Sequence, residues 1–338
     1  MRVLVVRVGA MGDVCHALPA VAALRRARPG WEIGWAVDRR WVPLLEAGGT
    51  RPAVDRVHVV PARDWTERPV SGRTLQQIRA LRGELRGERY DVCVDMQGTI
   101  RSAVIGRMAG ARELVGYGNP REALAGWMYG RRVRRRGVHV VEQGCALLGE
   151  AVGVELEPGG VELPVDAMAE MWCDDVLEGA GRFCVLAPTA GWGAKIWPAD
   201  RYGAVARALA EAGWLVVVNA AGAHDAVAEA VVRESGRSAF PVQSTVAQMV
   251  ALLRRATVVI AGDTGPLHVG AALRRPVVGL FGPTDPARNG PFGTRARVLR
   301  SSVSVTDHSK TGATEVGLME VGVGEVVGAA MELLGGGD

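Results

Sequence analysis

The chain has 338 residues, of which 48% are hydrophobic, and its formal net charge is +4. This length allows two domains of ordinary size, and no uncharged apolar run reaches the roughly 18 residues expected of a membrane-spanning helix. The N-terminal apolar run is interrupted by Arg7 and is too short for a signal peptide. The five cysteines are scattered and none forms a C-x-x-C pair, which favours reduced thiols in the cytosol over a disulfide framework or a zinc site.

The first half of the chain alternates predicted strands with predicted helices. The β-branched and apolar runs predict strands at residues 2–8, 31–37, 56–60, 91–95 and 111–117, and the amphipathic stretches predict helices at residues 13–28, 72–86 and 100–110. Such alternation predicts a parallel sheet with right-handed crossovers and helices on both faces.

A second series of the same kind begins after a connection rich in glycine, proline and acids at residues 152–166. Strands are predicted at residues 182–188, 214–220, 256–262 and 275–282, and helices at residues 198–213 and about 324–334. Thr245 and Gln248 fit a capping box that opens a helix ending near Arg255.

These patterns predict an α/β protein with two Rossmann-like domains facing a central cleft. The predicted boundaries are an N-terminal domain at 1–155, a connection at 156–181, a C-terminal domain at 182–320, and a C-terminal helical segment at 321–338 that could pack back on the N-terminal domain.

The charges are unevenly distributed along the chain. Residues 1–150 contain 25 arginines and no lysine against 15 acids, whereas the remainder is net acidic. A basic first half suggests an anionic partner, although the arginine run at 131–136 could equally be a solvated loop. Lysine occurs only at Lys195 and Lys310, against 38 arginines, so a retained lysine suggests a need for a compact point charge.

Three predicted strand-to-helix junctions carry unusual residues, at the strand ends where such sheets bind ligands. At the first, Gly9 and Gly12 permit tight or left-handed turns and Asp13 follows at the start of a helix. Asp13 could be an N-cap or a catalytic group. A dinucleotide fingerprint is poorly matched because Met11 replaces its second glycine, but Asp38 could serve as the ribose-binding acid of that alternative.

The second junction surrounds Lys195, with Trp192 and Trp197 on either side in the sequence. The lysine could be stacked on these rings. However, Pro198 is suited to the start of a helix, and a cation just ahead of a helix N-terminus is unfavourable without an anion. This favours a phosphate ligand at Lys195.

The third junction is GDTGPLH at residues 262–268. Asp263 ends a strand, and the free amides of the following helix offer an anion site. Asp263 could instead be a cap and His268 a hydrogen-bonded core histidine, but their occurrence in one turn favours ligand binding.

Weaker candidates are Asp225, which could hold ribose hydroxyls or cap a helix, and Gln97 and Arg101 at another turn of the first domain. Histidines 58, 139, 224 and 308 are expected to be structural or at the surface. The sequence has no D-x-D pair that could clamp a metal on two phosphates.

Taken together, five segments resemble glycosyltransferase family 9, the bacterial lipopolysaccharide heptosyltransferases. They are VGAMGDV (8–14), DMQGTIRSA (95–103), AKIWP (194–198), GDTGPLHVGAA (262–272) and VVGLFGPTDP (277–286). The resemblance covers nearly the whole chain and implies a GT-B fold. It also implies inverting, metal-independent transfer of heptose from ADP-heptose to the Kdo or heptose residues of the lipopolysaccharide inner core, without a cofactor.

The resemblance also implies roles for individual residues. Asp13 matches the catalytic acid and Lys195 the phosphate-binding lysine. The expected donor contacts are Thr189, Lys195, Asp225, Asp263, Thr264, Gly265, Leu267 and His268, and the expected acceptor contacts are Gly12, Gln97 and Arg101. Asp225 stands where the family often has glutamate, Thr189 where many members have glycine, and residues 300–320 lack the cysteines often found there.

The sequence thus predicts a cytoplasmic monomer, peripheral at the inner face of the inner membrane, with an anionic glycolipid as acceptor and no nucleic-acid partner. The excess arginines are expected to face that acceptor or the membrane surface. Alternatives are a family 9 transferase of other specificity, a GT-B epimerase, a nicotinamide-dependent oxidoreductase and a non-catalytic nucleotide-binding module.

Overall fold

The structure, a computed structural model, describes residues 1–222, 224–307 and 312–335. The chain forms two compact units, Met1–Pro164 and Val165–Asp338. The sequence placed the end of the first domain at 155 and a connection at 156–181, but a helix within that connection belongs to the second unit. No helix among the described residues is both long and apolar enough to cross a bilayer.

The first unit contains one sheet of six parallel strands in the order β3-β2-β1-β4-β5-β6. The strands are β1 (Arg2–Val6), β2 (Glu32–Asp38), β3 (Arg56–Val60), β4 (Val92–Asp95), β5 (Glu113–Tyr117) and β6 (Arg131–Val133). The helices are α1 (Met11–Ala27), α2 (Ala62–Glu67), α3 (Gly72–Gly87), α4 (Ile100–Ala109) and α5 (Val140–Val152), with 3-10 turns at Arg39–Leu44 and Ala123–Met128.

The central strand β1 explains why the predicted sheet forms. Val3, Leu4, Val5 and Val6 are all completely buried, as expected for a parallel strand covered on both faces. The same four residues pair with β2 on one side, and Val3 to Val6 pair with residues 92–95 of β4 on the other. The apolar run therefore fixes β1 at the middle of the sheet.

The second unit repeats this plan with the order β12-β11-β10-β7-β8-β9, again all parallel. Its strands are β7 (Phe183–Ala187), β8 (Leu215–Ala220), β9 (Phe240–Gln243), β10 (Val258–Gly262), β11 (Val277–Leu280) and β12 (Ala296–Leu299). Its helices are α6 (Ala167–Leu177), α7 (Ala199–Glu211), α8 (Ala226–Glu234), α9 (Val246–Arg255), α10 (Gly265–Ala272), α11 (Pro286–Asn289), α12 (Val316–Glu320) and α13 (Val323–Gly335), with a 3-10 turn at Gly193–Lys195.

Two helices correct the predicted domain boundaries. Helix α6, inside the predicted connection, packs on α9, and Glu170 pairs there with Arg254 and Arg255. Helix α13, predicted as a separate segment that could pack on the N-terminal domain, instead packs on α7, β10, β11 and β12 of the second unit. Its Val326, Ala330 and Leu333 lie in that unit's hydrophobic core, because the apolar face of α13 is buried there.

Every strand and helix predicted from a long apolar run is present, and the Thr245–Gln248 capping box is confirmed at the start of α9. The short strands β6, β9 and β12 were missed. They lie at sheet edges, where burial on a single side leaves little apolar signal and a proline such as Pro241 of β9 is tolerated.

The strand orders also locate the switch point of each sheet. In the first unit the chain leaves β1 towards β2 and later returns to β4 on the other side of β1. In the second unit the same reversal falls between β7 and β10. The loops after β1 and β4, and those after β7 and β10, therefore lie where open parallel sheets bind ligands.

Candidate active site

The loops at the second unit's switch point bring together Lys195, Asp263 and His268. The Lys195 ammonium donates to the Asp263 carboxylate, with Nζ 2.5 Å from Oδ2, and to the Asp263 carbonyl oxygen at 3.1 Å. His268 Nε2 lies 2.9 Å from the other carboxylate oxygen. The Asp263 carboxylate thus binds both His268 and the predicted phosphate-binding Lys195.

Glycines allow Lys195 to approach this turn. Gly193 begins the 3-10 turn that ends at Lys195, and a Cβ at this glycine would lie 1.9 Å from the carbonyl oxygen of Gly312. A Cβ on Gly262 would lie 3.0 Å from the Lys195 carbonyl oxygen. The Lys195 ammonium lies 5.4 Å from the Trp192 ring centroid, so the stacking alternative holds for Trp192. Trp197 is completely buried and donates to the Val321 carbonyl oxygen, so it is a core residue.

The charges of this cluster are strongly coupled. Burial by itself would raise the pKa of the Asp263 carboxyl, but the hydrogen bond from His268 and the charges of His268 and Lys195 outweigh it and hold that pKa well below its ordinary value. Asp263 is therefore a carboxylate that orients its two basic neighbours.

The N-terminus of α10 completes this cluster with backbone donors. Thr264 is the N-cap and Gly265 the first helical residue, and Pro266 has no N–H. The first amides of a helix have no partner within the helix, so those of Gly265 and Leu267 are the donors offered to an anion. The Leu267 side chain is completely buried; only its backbone could contact a ligand. The alternative of Asp263 as a side-chain cap is wrong, because its oxygens bind Lys195 and His268.

Asp225 and Thr189 form a second contact on the same side of the second sheet. Asp225 caps α8 through the amides of Val227 and Ala228, and its Oδ2 accepts from the Thr189 hydroxyl at 2.5 Å and from the Ala221 amide at 2.9 Å. Burial opposes ionisation of Asp225, but these hydrogen bonds lower the pKa of its carboxyl. The capping alternative is confirmed. A ribose contact is also compatible with it, because a carboxylate oxygen can accept more than one hydrogen bond.

In the first unit, Asp13 lies in the first turn of α1, which begins two residues before it at Met11. The N-cap is Ala10 and not Asp13, so the capping alternative for Asp13 is wrong. Arg7 holds the carboxylate, with Nη2 2.8 Å from Oδ1, and also donates to the Asp13 and Met96 carbonyl oxygens. The Asp13 side chain remains 34% exposed.

Gly9 faces the second oxygen of that carboxylate. A Cβ at Gly9 would lie 2.7 Å from Asp13 Oδ2. Neither Gly9 nor Gly12 has a positive φ, so of the tight or left-handed turns expected here the left-handed one is wrong. Gly9 is needed for close approach. Trp41 donates from Nε1 to the Gly9 carbonyl oxygen at 2.7 Å and fixes the loop from the other side.

The loop after β4 is built around Asp95. This completely buried carboxylate accepts from the Gln97 and Gly98 amides and from the hydroxyls of Ser102 and Tyr129. Burial raises the pKa of the Asp95 carboxyl despite these donors. Asp95 fixes the path of the chain to Gln97, whose Oε1 accepts from the Val8 amide at 2.8 Å and lies close to Gly9. Gln97 and Asp13 thus belong to one cluster.

The arginines predicted to face an anion have mixed environments. Arg101 is exposed on α4 and donates to the Thr66 hydroxyl at 2.9 Å. In the run at 131–136, Arg131 pairs with Glu113 and Arg136 with Glu150, while Arg135 lies 3.7 Å from the Tyr117 ring centroid. Part of this run therefore has a structural role within the unit.

Three comparisons with known proteins identify the family of this chain. Residues 78–316 match glycosyltransferase family 9 (heptosyltransferase). The chain belongs to glycosyltransferase family 9. It is 29% identical over 307 residues to lipopolysaccharide heptosyltransferase 1 of Escherichia coli (strain K12), covering 89% of this chain and 94% of that protein. It is 31% identical over 300 residues to lipopolysaccharide heptosyltransferase 1 of Pseudomonas aeruginosa, covering 87% and 82%.

The fold of this chain is similar to that of a solved heptosyltransferase structure. The structure described as E. coli heptosyltransferase WaaC with ADP has a TM-score of 0.80 and 26% identity, covering 98% of this chain and all of that one. Two α/β units in one chain, each with a sheet of parallel strands, are the GT-B arrangement predicted from the sequence. The chain is therefore a glycosyltransferase, and the oxidoreductase alternative is not supported: Asp38 caps the 3-10 turn at Arg39–Leu44 and pairs with Arg40.

Two of the histidines expected to be structural or at the surface have structural contacts. His58 is buried between Glu84 and Tyr90, and His139 caps α5 in a capping box with Glu142, as structural roles predict. His224 is exposed, which confirms the expected surface position; His308 and Lys310 lie outside the described residues. Among residues 1–222, 224–307 and 312–335, no three His, Cys, Asp or Glu side chains form a group able to hold a metal.

Sequence reasoning missed Arg7 and Asp95, which hold Asp13 and the loop to Gln97 in place. Arg7 directly follows β1 and alternates with apolar residues in the sequence, so it resembled a strand residue. Asp95 ends β4 just as Asp263 follows β10, and that parallel was the available signal.

Proposed function

We propose that this chain transfers heptose from ADP-heptose to the inner core of lipopolysaccharide, on Kdo or heptose, with inversion and without a metal or cofactor. The observation that carries the proposal is the cluster of Lys195, Asp263 and His268 at the N-terminus of α10, placed at the switch point of a Rossmann-like sheet. The relatives named lipopolysaccharide heptosyltransferase 1, and the likeness to a structure solved with ADP, support the sugar and the nucleotide.

The donor diphosphate binds at the cationic end of this cluster. The Lys195 ammonium has three N–H groups and gives two to Asp263, which leaves one for a phosphate oxygen. The amides of Gly265 and Leu267 and the dipole of α10 supply further stabilisation. Thr264 and His268 flank the phosphate, while Thr189 and Asp225 hold the ribose.

Transfer is a single displacement at the anomeric carbon of the donor. The acceptor hydroxyl oxygen forms the new bond to this carbon as the bond to the diphosphate oxygen breaks, and ADP leaves with the electron pair. The hydroxyl proton passes to the Asp13 carboxylate and then to solvent. Attack opposite the leaving group inverts the anomeric centre, and the developing negative charge on ADP is stabilised by Lys195 and the α10 amides.

The acceptor is an anionic glycolipid, and the first unit is expected to hold it. Gly12 and Gln97 lie at the loops beside Asp13, and the exposed Arg101 is suited to a phosphate or sugar carboxylate. We propose that the enzyme works as a cytoplasmic monomer, peripheral at the inner face of the inner membrane, because this acceptor is embedded there.

Turnover with both substrates tests the proposal. Purified protein is incubated with ADP-heptose and a Kdo-bearing lipid A acceptor, with and without EDTA, and ADP release and the mass of the glycolipid are recorded. We expect stoichiometric ADP and a heptose adduct that resist EDTA, and none when UDP- or GDP-sugars replace the donor. A donor altered without acceptor would instead indicate an epimerase, and release that stops with EDTA would contradict metal independence.

A further inference from the structure

An exposed apolar patch lies on the first unit, on helix α4 and the 3-10 turn at Ala123–Met128. Trp127 is 80% exposed and Leu124 is 55% exposed, and their spacing of three places both on one face of a 3-10 turn. Ile100 and Val104, four residues apart on one face of α4, are exposed too. Below, these four residues are called the apolar patch.

The two halves of the apolar patch are neighbours. Helix α4 packs against the 3-10 turn, and the Glu122 carboxylate, just before that turn, accepts from the Ile100 amide at 2.8 Å. Glu122 also donates its own amide to the Gly98 carbonyl oxygen. The patch therefore has a fixed position relative to the loop after β4, which lies at the carboxyl edge of the sheet, as does Asp13.

The surroundings of the patch are strongly basic. Between residues 96 and 136 the sequence has nine arginines and two acids, and Glu113 is already paired with Arg131. Arg101, Arg121 and Arg132 are exposed, and Arg132 donates to the Gly126 carbonyl oxygen, inside the 3-10 turn. Arg112 and Arg136 pair with Asp91 and Glu150, so the basic rim of the patch consists of the exposed Arg101, Arg121 and Arg132. Large apolar side chains beside exposed arginines are the chemistry that an anionic bilayer surface recognises.

We infer that the apolar patch docks on an anionic bilayer surface, with Trp127 and Leu124 inserted at headgroup level and the surrounding arginines on lipid phosphates. Tryptophan is suited to this position because its ring is apolar and its N–H is polar. This inference rests on the proposed function, because docking at this edge brings Asp13 towards an acceptor carried in the same leaflet. An isolated exposed tryptophan would need no such explanation; four neighbouring apolar side chains with a basic rim do.

Vesicle binding tests the inference with the full chain and no substrate. The fraction that sediments with phosphatidylcholine vesicles, with and without phosphatidylglycerol, is measured for the unaltered protein and for the double variant Leu124→Ser/Trp127→Ser. Because these side chains are exposed, the variant is expected to fold normally. We expect binding only with phosphatidylglycerol, weakened by salt, and about tenfold weaker in the double variant.

Helix α6 offers a matched control. Met168 and Met171 are three residues apart and exposed, but they stand among Glu170, Asp174 and Asp175. The double variant Met168→Ser/Met171→Ser should bind vesicles as the unaltered protein does. Equal binding by the Leu124/Trp127 variant, or equal binding to vesicles of phosphatidylcholine alone, would overturn the inference.

Two further measurements distinguish membrane docking from dimerisation through the patch and from a defect in catalysis. If the patch joins two copies of the chain, the unaltered protein will sediment as a dimer that the Leu124/Trp127 variant abolishes, which also overturns the inference. Transfer to a deacylated, water-soluble acceptor should be unchanged in the variant. Absence of transfer in the unaltered protein would refute the proposed function while leaving the vesicle result to be judged by itself.

Discussion

The Lys195 ammonium lies 2.5 Å from Asp263 Oδ2, and both side chains are largely buried. Lys195, which the sequence singles out because lysine is rare, is thus held in place by a carboxylate of the protein itself. A cation fixed in this way need not be ordered when a phosphate binds, which lowers the entropic cost of binding.

Replacement of Lys195 by alanine should weaken ADP binding and slow transfer, and it should also lower the free energy of unfolding by about 3 kcal/mol, because Asp263 is left buried without its cation. Calorimetric titration with ADP and chemical denaturation measure the two effects. The double variant Lys195→Ala/Asp263→Ala should recover most of the stability but not the affinity. Recovery of both would mean that Lys195 serves folding alone.

Asp13→Asn should reduce kcat by about 10²–10⁴-fold, because the acceptor hydroxyl would lose the proton acceptor proposed for it. Affinity for ADP should change little, since the proposed donor contacts are in the second unit. Steady-state kinetics and ADP titration check these outcomes. Turnover close to that of the unaltered enzyme would remove Asp13 from the mechanism.

Arg7 should act as a positioning residue through its contact with Asp13. In Arg7→Met the carboxylate loses the partner of its Oδ1, so kcat should fall by about 10- to 100-fold, as expected for a misplaced group, while the KM for the donor changes little. Arg7→Lys should restore part of kcat. In an Asp13→Asn background Arg7→Met should have almost no further effect on kcat; a full additional loss would show that Arg7 acts independently of Asp13.

The depressed pKa of Asp263 predicts a pH dependence of stability. An aspartate ionises near pH 3.9 in the unfolded chain, so the stabilisation from its ionised form is complete above that pH and is lost as the pH falls towards the lower folded-state pKa. Denaturation at pH 7 and pH 3 should therefore show a smaller pH difference for Asp263→Asn than for the unaltered protein. A control variant at the exposed Glu211, Glu211→Gln, should keep the full pH difference. An equally large pH difference in Asp263→Asn would contradict the pairing of Asp263 with Lys195 and His268.

The sequence predicted the central strands and the junction residues, but not their partners. Strands such as β1 and β10 are buried on both faces, so their composition identifies them without tertiary information. Asp13 and Asp263 were predictable because carboxylates are unusual just after an apolar strand, and Lys195 because lysine is rare in this chain. The contacts of Lys195 with Asp263 and of Thr189 with Asp225 join residues 68 and 36 positions apart, and local patterns cannot specify such pairs.

The accuracy of the predicted helix boundaries was limited by the capping residues. The capping residues Thr245 and Thr99 mark the starts of α9 and α4, but α1 begins after Ala10, which makes no side-chain cap. The sequence therefore placed the start of α1 at Asp13, two residues late. That shift decided whether Asp13 was interpreted as a cap or as a first-turn carboxylate available for chemistry.

The position of the nucleotide in a crystal grown with ADP is the most direct test of the account. We predict that the diphosphate contacts Lys195 Nζ and the amides of Gly265 and Leu267, with the ribose against Thr189 and Asp225. A nucleotide bound instead against residues 9–14 of the first unit would contradict both the donor site and the role given to Asp13.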